Sequence, residues 1–169
     1  MRDSLLGIYR AFLEKQIPVD FVSCSALDAA RLRQYKVVFF PYPVMLSESA
    51  GNLLKEHVEN GGTIVAEARL VWNDERGHAS PVIPGFGLDR VFGAHEILIR
   101  PEEKPKIVVQ RSADLPGLSA GLTLPGAAFE EQLEASKEAR TLASFSSGEA
   151  VMRRRPDGRT AGYWACTGA

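Results

Sequence analysis

The chain has 169 residues, which is enough for one domain whose buried core needs no disulfide. A hydrophobic fraction of 45% and a formal net charge of -1 exclude a strongly basic protein, so we expect no nucleic-acid or membrane partner. No apolar run approaches the roughly 20 residues that span a bilayer, and the pattern of a signal peptide is absent. Cys24 and Cys166 lack the CxxC spacing of zinc and redox sites, and we predict a reducing, cytoplasmic location.

The first forty residues alternate between helical and strand-like patterns. Apolar residues recur at helical spacing from Leu5 to Leu13, and Pro18 ends this helix before a short predicted strand, Val19 to Val22. A brief helix is predicted from about Ala26 to Arg33. The next segment, Val37 to Phe40, is apolar at every position, which is typical of a parallel strand covered on both faces.

A longer helix and a second buried strand follow. Ser47 is a suitable N-cap, and Asn60-Gly61-Gly62 forms a left-handed stop after an apolar stripe at helical spacing. Thr63 to Ala66 is then predicted as another buried strand. Strands joined by helical crossovers indicate right-handed βαβ units and a doubly wound α/β sheet.

The second half begins with a long loop and is otherwise rich in strand patterns. The loop from Glu67 to Pro84 is of the length that usually carries function or contacts, and Gly87 to Phe92 predicts a short helix ending at Gly93. Strands are predicted over Glu96 to Ile99, Ile107 to Val109, Thr141 to Phe145, Ala150 to Arg153 and Gly162 to Cys166. The turn sequence at 155–158 predicts that the last two form a hairpin.

Several phrases together carry a resemblance to a known family. Residues 6–22 read LGIYRAFLEKQIPVDFV, residues 35–41 read YKVVFFP, and residues 46–66 read LSESAGNLLKEHVENGGTIVA. The polar phrase Asn73-Asp74-Glu75 and the helix ending at Gly93 follow in order. In combination these phrases resemble the trimerisation domain of family forty-two β-galactosidases, a flavodoxin-like domain related to class I glutamine amidotransferases.

This resemblance implies a fold and a role. The implied fold is a flavodoxin-like three-layer α/β/α arrangement, with a mostly parallel sheet, helices on both faces and a β-rich C-terminal part. Residues 1–169 are then one domain of a larger glycosidase, without the N-terminal strand and the catalytic barrel that precede it in the family. The family's catalytic glutamates belong to that barrel, so we predict a non-catalytic scaffold with no cofactor. Its implied partners are the barrel and two further subunits of a trimer.

Three side chains are candidates for chemistry of the chain's own. Cys24 follows a predicted strand, as an amidotransferase nucleophile does, although it has no flanking glycine or histidine partner and a packed thiol is the alternative. Glu67 ends a buried strand, and His78 lies near Asp74 and Glu75 on the loop, a grouping capable of acid–base work. An amidotransferase-like hydrolase is therefore one alternative function. We predict no metal site.

The loop also supplies candidates for a subunit contact. Leu70, Val71 and Trp72 form its apolar part, and tryptophan is enriched among residues that anchor interfaces. A hydrophobic anchor buried beneath the loop is the alternative. Asp74 and Arg154 are polar contact candidates, and Arg154 belongs to a basic run that is either a solvated turn or a carboxylate-binding contact.

A second alternative function is a carbohydrate- or small-ligand-binding module. Tyr42, Trp72 and Trp164 would be its stacking surfaces. His57 is predicted on the exposed side of the long helix, where it would be solvated.

Overall fold

The computed structural model describes residues 2–110 and 117–145, together with the backbone of residues 153–154 and 160–164. Its helices are α1 (Arg2–Glu14), α2 (Ala29–Leu32), α3 (Glu48–Glu59) and α4 (Leu88–Phe92), with a 3-10 turn over Cys24–Ala26. Its strands are β1 (Val37–Phe40), β2 (Thr63–Glu67), β3 (Ala94–Pro101), β4 (Lys106–Val109), β5 (Thr123–Pro125), β6 (Phe129–Ala135), β7 (Arg140–Thr141), β8 (Ala143–Phe145), β9 (Arg153–Arg154) and β10 (Thr160–Trp164). No helix within these ranges is long and apolar enough to cross a membrane.

β2 is the middle strand of a parallel sheet, with β1 on one side and β10 on the other. Phe40 of β1 pairs with Ala66, and Trp164 of β10 pairs with Glu67. Ile64 and Ala66 are fully buried, as expected for a central strand of a parallel sheet. The predicted succession of strand, helix and parallel strand is confirmed for β1, α3 and β2.

α3 begins and ends where the sequence predicts. The Ser47 hydroxyl accepts a hydrogen bond from the Ala50 N–H at 3.2 Å, which satisfies one of the free donors of the first turn. After the helix, Gly61 takes a φ of 89°, a left-handed conformation that favours glycine. Leu54 and Val58 lie buried on the inner face of the helix.

The second half of the chain forms three small antiparallel sheets in the described ranges. β3 pairs with β6, β4 lies between β5 and β8, and β7 pairs with β9. β6 was not predicted, because the glutamates of its sequence, FEEQLEA, hide the apolar alternation of a strand. The predicted hairpin stays a prediction: the pairings described are those of β9 with β7 and of β10 with β2. Its turn residues, 155–158, lie outside the described residues.

Three predictions for the first third of the chain need correction. Residues 19–22 form no strand, and the predicted helix from Ala26 to Arg33 is reduced to the single turn of α2 after a 3-10 turn. β1 is a strand but is not covered on both faces, because Val37 is 45% exposed and Phe39 is 36% exposed.

The main core joins the parallel sheet to the antiparallel half of the chain. Its fully or almost fully buried side chains come from α3, α4, the parallel strand β2, the loop after it and two antiparallel strands: Leu54, Val58, Ile64, Leu70, Val71, Leu88, Phe92, Ile107 and Leu133. The fold is therefore mixed α/β, built from small sheets of both kinds rather than from one large parallel sheet.

Candidate functional site

The loop that leaves β2 is held firmly against the loop that leaves β1. The Val71 N–H donates to the Pro43 carbonyl at 2.9 Å, and the Asn73 N–H donates to the Val44 carbonyl at 3.0 Å. The Ser80 hydroxyl donates to the Val71 carbonyl at 2.7 Å and closes the loop on itself. These bonds fix the loop at the carboxyl ends of two parallel strands, which is where α/β sheets place their ligands and contacts.

The same loop contains strained backbone. Arg69 has a φ of 63° and Val71 a φ of 55°, both in the left-handed region. This conformation is costly for any residue with a Cβ atom, and most of all for a β-branched one such as valine. Strain of this kind persists only where the surroundings impose it, so the path of the loop is set by packing and hydrogen bonds rather than by local preference.

Arg69 organises the polar part of the site. Its guanidinium lies 3.7 Å from the centroid of the Trp72 ring, and its Nη1 donates to Glu96 Oε1 at 3.4 Å. Its main-chain N–H donates to Glu131 Oε1 at 3.2 Å. We call these four residues, Arg69, Trp72, Glu96 and Glu131, the Arg69 cluster. Glu131 is fully buried, and the side chains of Arg69 and Glu96 are only 12% and 13% exposed, so their attraction is weakly screened.

Two polar atoms of the cluster have no hydrogen-bond partner in the described ranges: Arg69 Nε and Glu96 Oε2 are both buried. Buried polar groups in native proteins are usually paired, so the cluster retains bonding capacity beside the exposed Trp72. The sequence interpretation missed Glu96 and Glu131. Glu96 is a single carboxylate at the start of a predicted strand, and Glu131 lies in FEEQLEA, where no strand was predicted, so neither gave a usable signal.

Trp72 belongs to a set of exposed apolar residues around this loop. Met45, Trp72, Val82 and Ile97 are between 41% and 53% exposed, and we call them the loop surface. Met45 forms a β-bridge with Asn73, the residue that follows Trp72.

Further main-chain bonds connect the remaining members of the loop surface. The Ser80 N–H donates to the Trp72 carbonyl at 2.7 Å, and the Glu96 N–H donates to the Ile83 carbonyl at 2.7 Å. Val82 adjoins Ile83 and Ile97 adjoins Glu96, so these main-chain bonds hold the segments that carry the loop surface close together. Exposed apolar groups collected in one region are typical of contact sites, whereas isolated ones are not.

The predicted interface residues lie at different depths. Leu70 and Val71 are fully buried, so their side chains pack in the core, which was the alternative that the sequence left open. Trp72 is 41% exposed, and Asp74 lies at the turn that follows it. Arg154 lies in β9, and its side chain is outside what the structure describes. The interface prediction now rests on Trp72 and Asp74.

Asp74 and His78 are brought together, but as parts of a turn. Asp74 Oδ1 accepts hydrogen bonds from the N–H groups of Arg76 and His78, both at 2.8 Å, and Oδ2 lies 2.9 Å from His78 Nδ1. The hydrogen bond to the His78 side chain is the main cause that lowers the pKa of Asp74, with its main-chain bonds adding to it. In the described part of the chain, no group of three or more His, Cys, Asp or Glu residues is placed to hold a metal ion.

Cys24 lies in the 3-10 turn before α2 and is exposed as a free thiol. Loss of solvation raises the pKa of Cys24, which leaves less of the reactive thiolate. Among the described residues, no hydrogen bond or ion pair joins its side chain to a histidine or a carboxylate. Glu67 is buried at the end of β2, whereas the His78 side chain is 75% exposed. In the described residues Cys24 is therefore not joined to a histidine or a carboxylate as an amidotransferase nucleophile would be.

The three candidate stacking residues, Tyr42, Trp72 and Trp164, lie in different surroundings. Tyr42 adopts a φ of 47° after β1, and its ring centroid lies 6.2 Å from that of Phe129. Trp164 lies in β10, where only the backbone is described. Trp72 carries the Arg69 guanidinium at 3.7 Å from its ring.

The prediction for His57 is wrong. It lies in the last turn of α3 but is only 7% exposed, and its Nε2 is buried without a hydrogen-bond partner in the described residues. Its imidazole packs directly against Gly62, where a Cβ atom would overlap the ring. Burial lowers the pKa of His57, because a charged imidazolium in this position would lack the solvation that it has in water.

Several solved β-galactosidase structures have a fold similar to that of this chain. The structure is similar to the β-galactosidase from Rahnella sp. R3, with a TM-score of 0.81 and 23% identity over 95% of this chain and 24% of that one. It is similar to a catalytic mutant of Gan42B, a GH42 β-galactosidase from G. stearothermophilus, with a TM-score of 0.79 and 21% identity over 97% and 23% of the two chains. The β-galactosidase from Bacillus circulans sp. alkalophilus has a TM-score of 0.70 and 23% identity over 80% and 20%.

These likenesses show a shared fold, and the chain spans less than a quarter of the length of each of these enzymes. No curated protein sequence matches the chain. The family described as the β-galactosidase trimerisation domain matches residues 1–167. A match over nearly the whole length identifies this chain as a member of the β-galactosidase trimerisation domain family.

Proposed function

We propose that this chain is the non-catalytic oligomerisation and scaffold domain of a β-galactosidase-like glycoside hydrolase. The single observation that carries the proposal is the family match over residues 1–167. The fold shared with β-galactosidases over more than nine-tenths of the chain supports it. In this proposal the domain supports the active site of its parent indirectly, through contacts with neighbouring subunits and with a catalytic barrel.

The proposed assembly is a closed trimer with head-to-tail contacts. In such a ring one surface of each subunit meets a different surface of the next, so a single patch per chain contributes to every interface. The finer structural proposal is that residues 1–169 form one domain with a flavodoxin-like three-layer arrangement. A cytoplasmic location of the parent, inferred from the cysteine content, belongs to the same proposal.

The loop surface is the proposed contact patch. Trp72 is a large aromatic side chain that is half-exposed but held by Arg69, and Arg69 is fixed in turn by Glu96. An anchor that is already ordered loses little conformational entropy when it is buried by a partner. Aromatic anchors of this kind dominate the free energy of many interfaces.

A charge placed in the patch tests this assignment. We expect Trp72→Glu to weaken trimer formation by the parent protein by about tenfold or more, because a carboxylate would be desolvated in the contact. Leu122→Glu is the matched control, since Leu122 is 39% exposed and lies between β4 and β5 rather than on the loop surface. Sedimentation equilibrium measures both. Equal association of the two variants would remove the loop surface from the proposed interface.

A further inference from the structure

A small cavity lies between α2 and the last turn of α3. Its volume is about 190 Å³, which is below the range of pockets for drug-sized organic molecules and suits an ion with a few water molecules. Lys36 and Gly62 line the cavity and directly precede β1 and β2, so it lies at the amino edge of the parallel sheet, opposite to the loop surface. It therefore belongs to no contact that the proposed function uses.

The polar side chains around the cavity are not committed to partners within the protein. In the described ranges, no hydrogen bond or ion pair involves the side chains of four residues that line it: Arg33, Lys36, Glu56 and Asn60. His57 lines the same cavity; it is only 7% exposed, and its Nε2 is buried without a hydrogen-bond partner in that part of the chain. Water satisfies an exposed side chain, but a buried ring nitrogen without a partner is unusual and indicates a site with unused bonding capacity.

The charges around the cavity favour an anion that also carries a proton. Arg33 and Lys36 bring two positive charges and Glu56 brings one negative charge, so the balance is positive. Arginine and lysine donate charge-assisted hydrogen bonds to oxyanions. The Glu56 carboxylate can only accept, so a ligand that touches it must present an O–H or N–H group.

The helix ends beside the cavity do not oppose an anion strongly. The C-terminal end of a helix carries a partial negative charge on its free carbonyl groups. In α3 the carbonyls of residues 56–58 already accept hydrogen bonds from the N–H groups of residues 60–62, at 2.9 to 3.0 Å. α2 ends in the same way, with the N–H groups of residues 33–35 bonded to carbonyls within residues 29–32. These bonds offset part of the negative charge, so the two cations dominate the electrostatics of the cavity.

We propose that this cavity binds inorganic phosphate, which accepts hydrogen bonds from Arg33 and Lys36 and donates one to Glu56. Inorganic phosphate retains at least one O–H at neutral pH, so it satisfies both kinds of group. Sulfate has a similar size but carries no proton at that pH, and a phosphate monoester loses its last proton near a pH of about 6. A bound phosphate also places a negative charge beside His57, whose buried Nε2 has no partner in the described residues.

A titration with inorganic phosphate tests the site directly. It is added at pH 7.5 and constant ionic strength to the ¹⁵N-labelled 169-residue chain, and NMR follows the amides of Gly61 and Gly62 and the ring protons of His57, which line the cavity. We expect saturable one-to-one binding with a Kd on the order of 1 mM, as a few charge-assisted bonds at a partly exposed site should give. Sulfate and methyl phosphate should bind about tenfold more weakly, because neither presents an O–H to Glu56.

Variants at three exposed positions separate a specific site from general attraction to positive charge. Arg33→Gln should weaken phosphate binding by about tenfold, because it removes a charge-assisted bond. Arg31→Gln is the matched control, since Arg31 lies in α2 but does not line this cavity, and it should leave binding unchanged. Glu56→Gln should remove the preference for phosphate over sulfate, because an amide donates to either anion.

Several results would overturn the proposal. These are the absence of a saturable change in the millimolar range, equal weakening by Arg33→Gln and Arg31→Gln, and sulfate or methyl phosphate binding as tightly as inorganic phosphate. A preference for phosphate over sulfate that persists in Glu56→Gln would overturn the role of that carboxylate and the proposal with it. None of these results depends on whether the parent forms a trimer.

Discussion

The guanidinium of Arg69 lies 3.7 Å from the ring centroid of Trp72 while the same side chain is bonded to Glu96 at 3.4 Å. One residue thus connects a half-exposed aromatic to a buried carboxylate. Its main-chain N–H is also bonded to Glu131, and its φ of 63° shows how tightly the surroundings define its position. Trp72 is ordered by this arrangement before any partner reaches it.

The coupling of Arg69 and Glu96 can be measured by a double-mutant cycle. We expect Arg69→Met to lower the free energy of unfolding by about 3 kcal/mol, because it leaves the Glu96 carboxylate largely buried without its cation. Adding Glu96→Gln should restore about 1 kcal/mol or more, since no uncompensated charge then remains. Urea denaturation of the four proteins gives the coupling. Strict additivity of the two changes would show that the ion pair does not stabilise the site.

Two glycines make a matched pair for the packing at the end of α3. Gly62→Ala should cost about 2 kcal/mol, because the new Cβ overlaps the buried His57 ring. Gly7→Ala should instead stabilise the chain by about 0.5 to 1 kcal/mol, because Gly7 lies within α1 with nothing near its Cβ position. Thermal unfolding compares them. A Gly62→Ala variant as stable as the unsubstituted chain would contradict the position of the His57 ring.

The same histidine predicts how stability depends on pH. Burial lowers the pKa of His57 in the folded chain below its ordinary value of 6.5, so below that value the unfolded chain binds a proton that the folded chain refuses. Stability is therefore fully present above pH 6.5 and falls as the pH decreases towards the folded-state pKa. We expect His57→Gln to reduce the loss between pH 7.5 and 5.5 in denaturant titrations. An unchanged loss would assign the pH dependence to other groups.

Asp74 makes a separate prediction about the loop turn. Its pKa is lowered chiefly by the hydrogen bond to the His78 side chain, so its contribution to stability is present above the ordinary value of 3.8 and is lost as the pH falls through the folded-state pKa. His78→Ala should raise the pKa of Asp74, measured by the NMR shift of its carboxyl carbon. Arg76→Ala is the control, because the bond from its main-chain N–H is retained. A pKa unaffected by His78→Ala would contradict the turn geometry.

Local patterns in the sequence predicted α1, β1, α3 and β2, but not the segment from residue 19 to residue 33. The cap at Ser47, the glycine stop at Gly61 and the apolar runs of β1 and β2 act on near neighbours, so periodicity and capping rules are enough to find them. The strand predicted at Val19 to Val22 failed for a nonlocal reason. It has the composition of a strand, but a strand also needs a partner, and none lies beside it in the described part of the fold.

The site was less predictable because tertiary contacts create it. Trp72 was selected as an interface candidate from its residue type alone. The Arg69 guanidinium that lies over its ring is held by Glu96, and the Arg69 N–H by Glu131, which are 27 and 62 residues from Arg69 on strands whose pairing no local rule gives. His57 shows the same limit in reverse. Its helical position indicates an outward direction, yet the turn through Gly62 folds back over the ring and buries it.

The central proposal places this domain in a larger glycosidase, and the mass of that intact protein in solution tests it most directly. Multi-angle light scattering on the intact polypeptide should give three times the mass of one chain across a tenfold range of concentration. A mass of one chain throughout that range would contradict the assignment of this domain to trimer assembly.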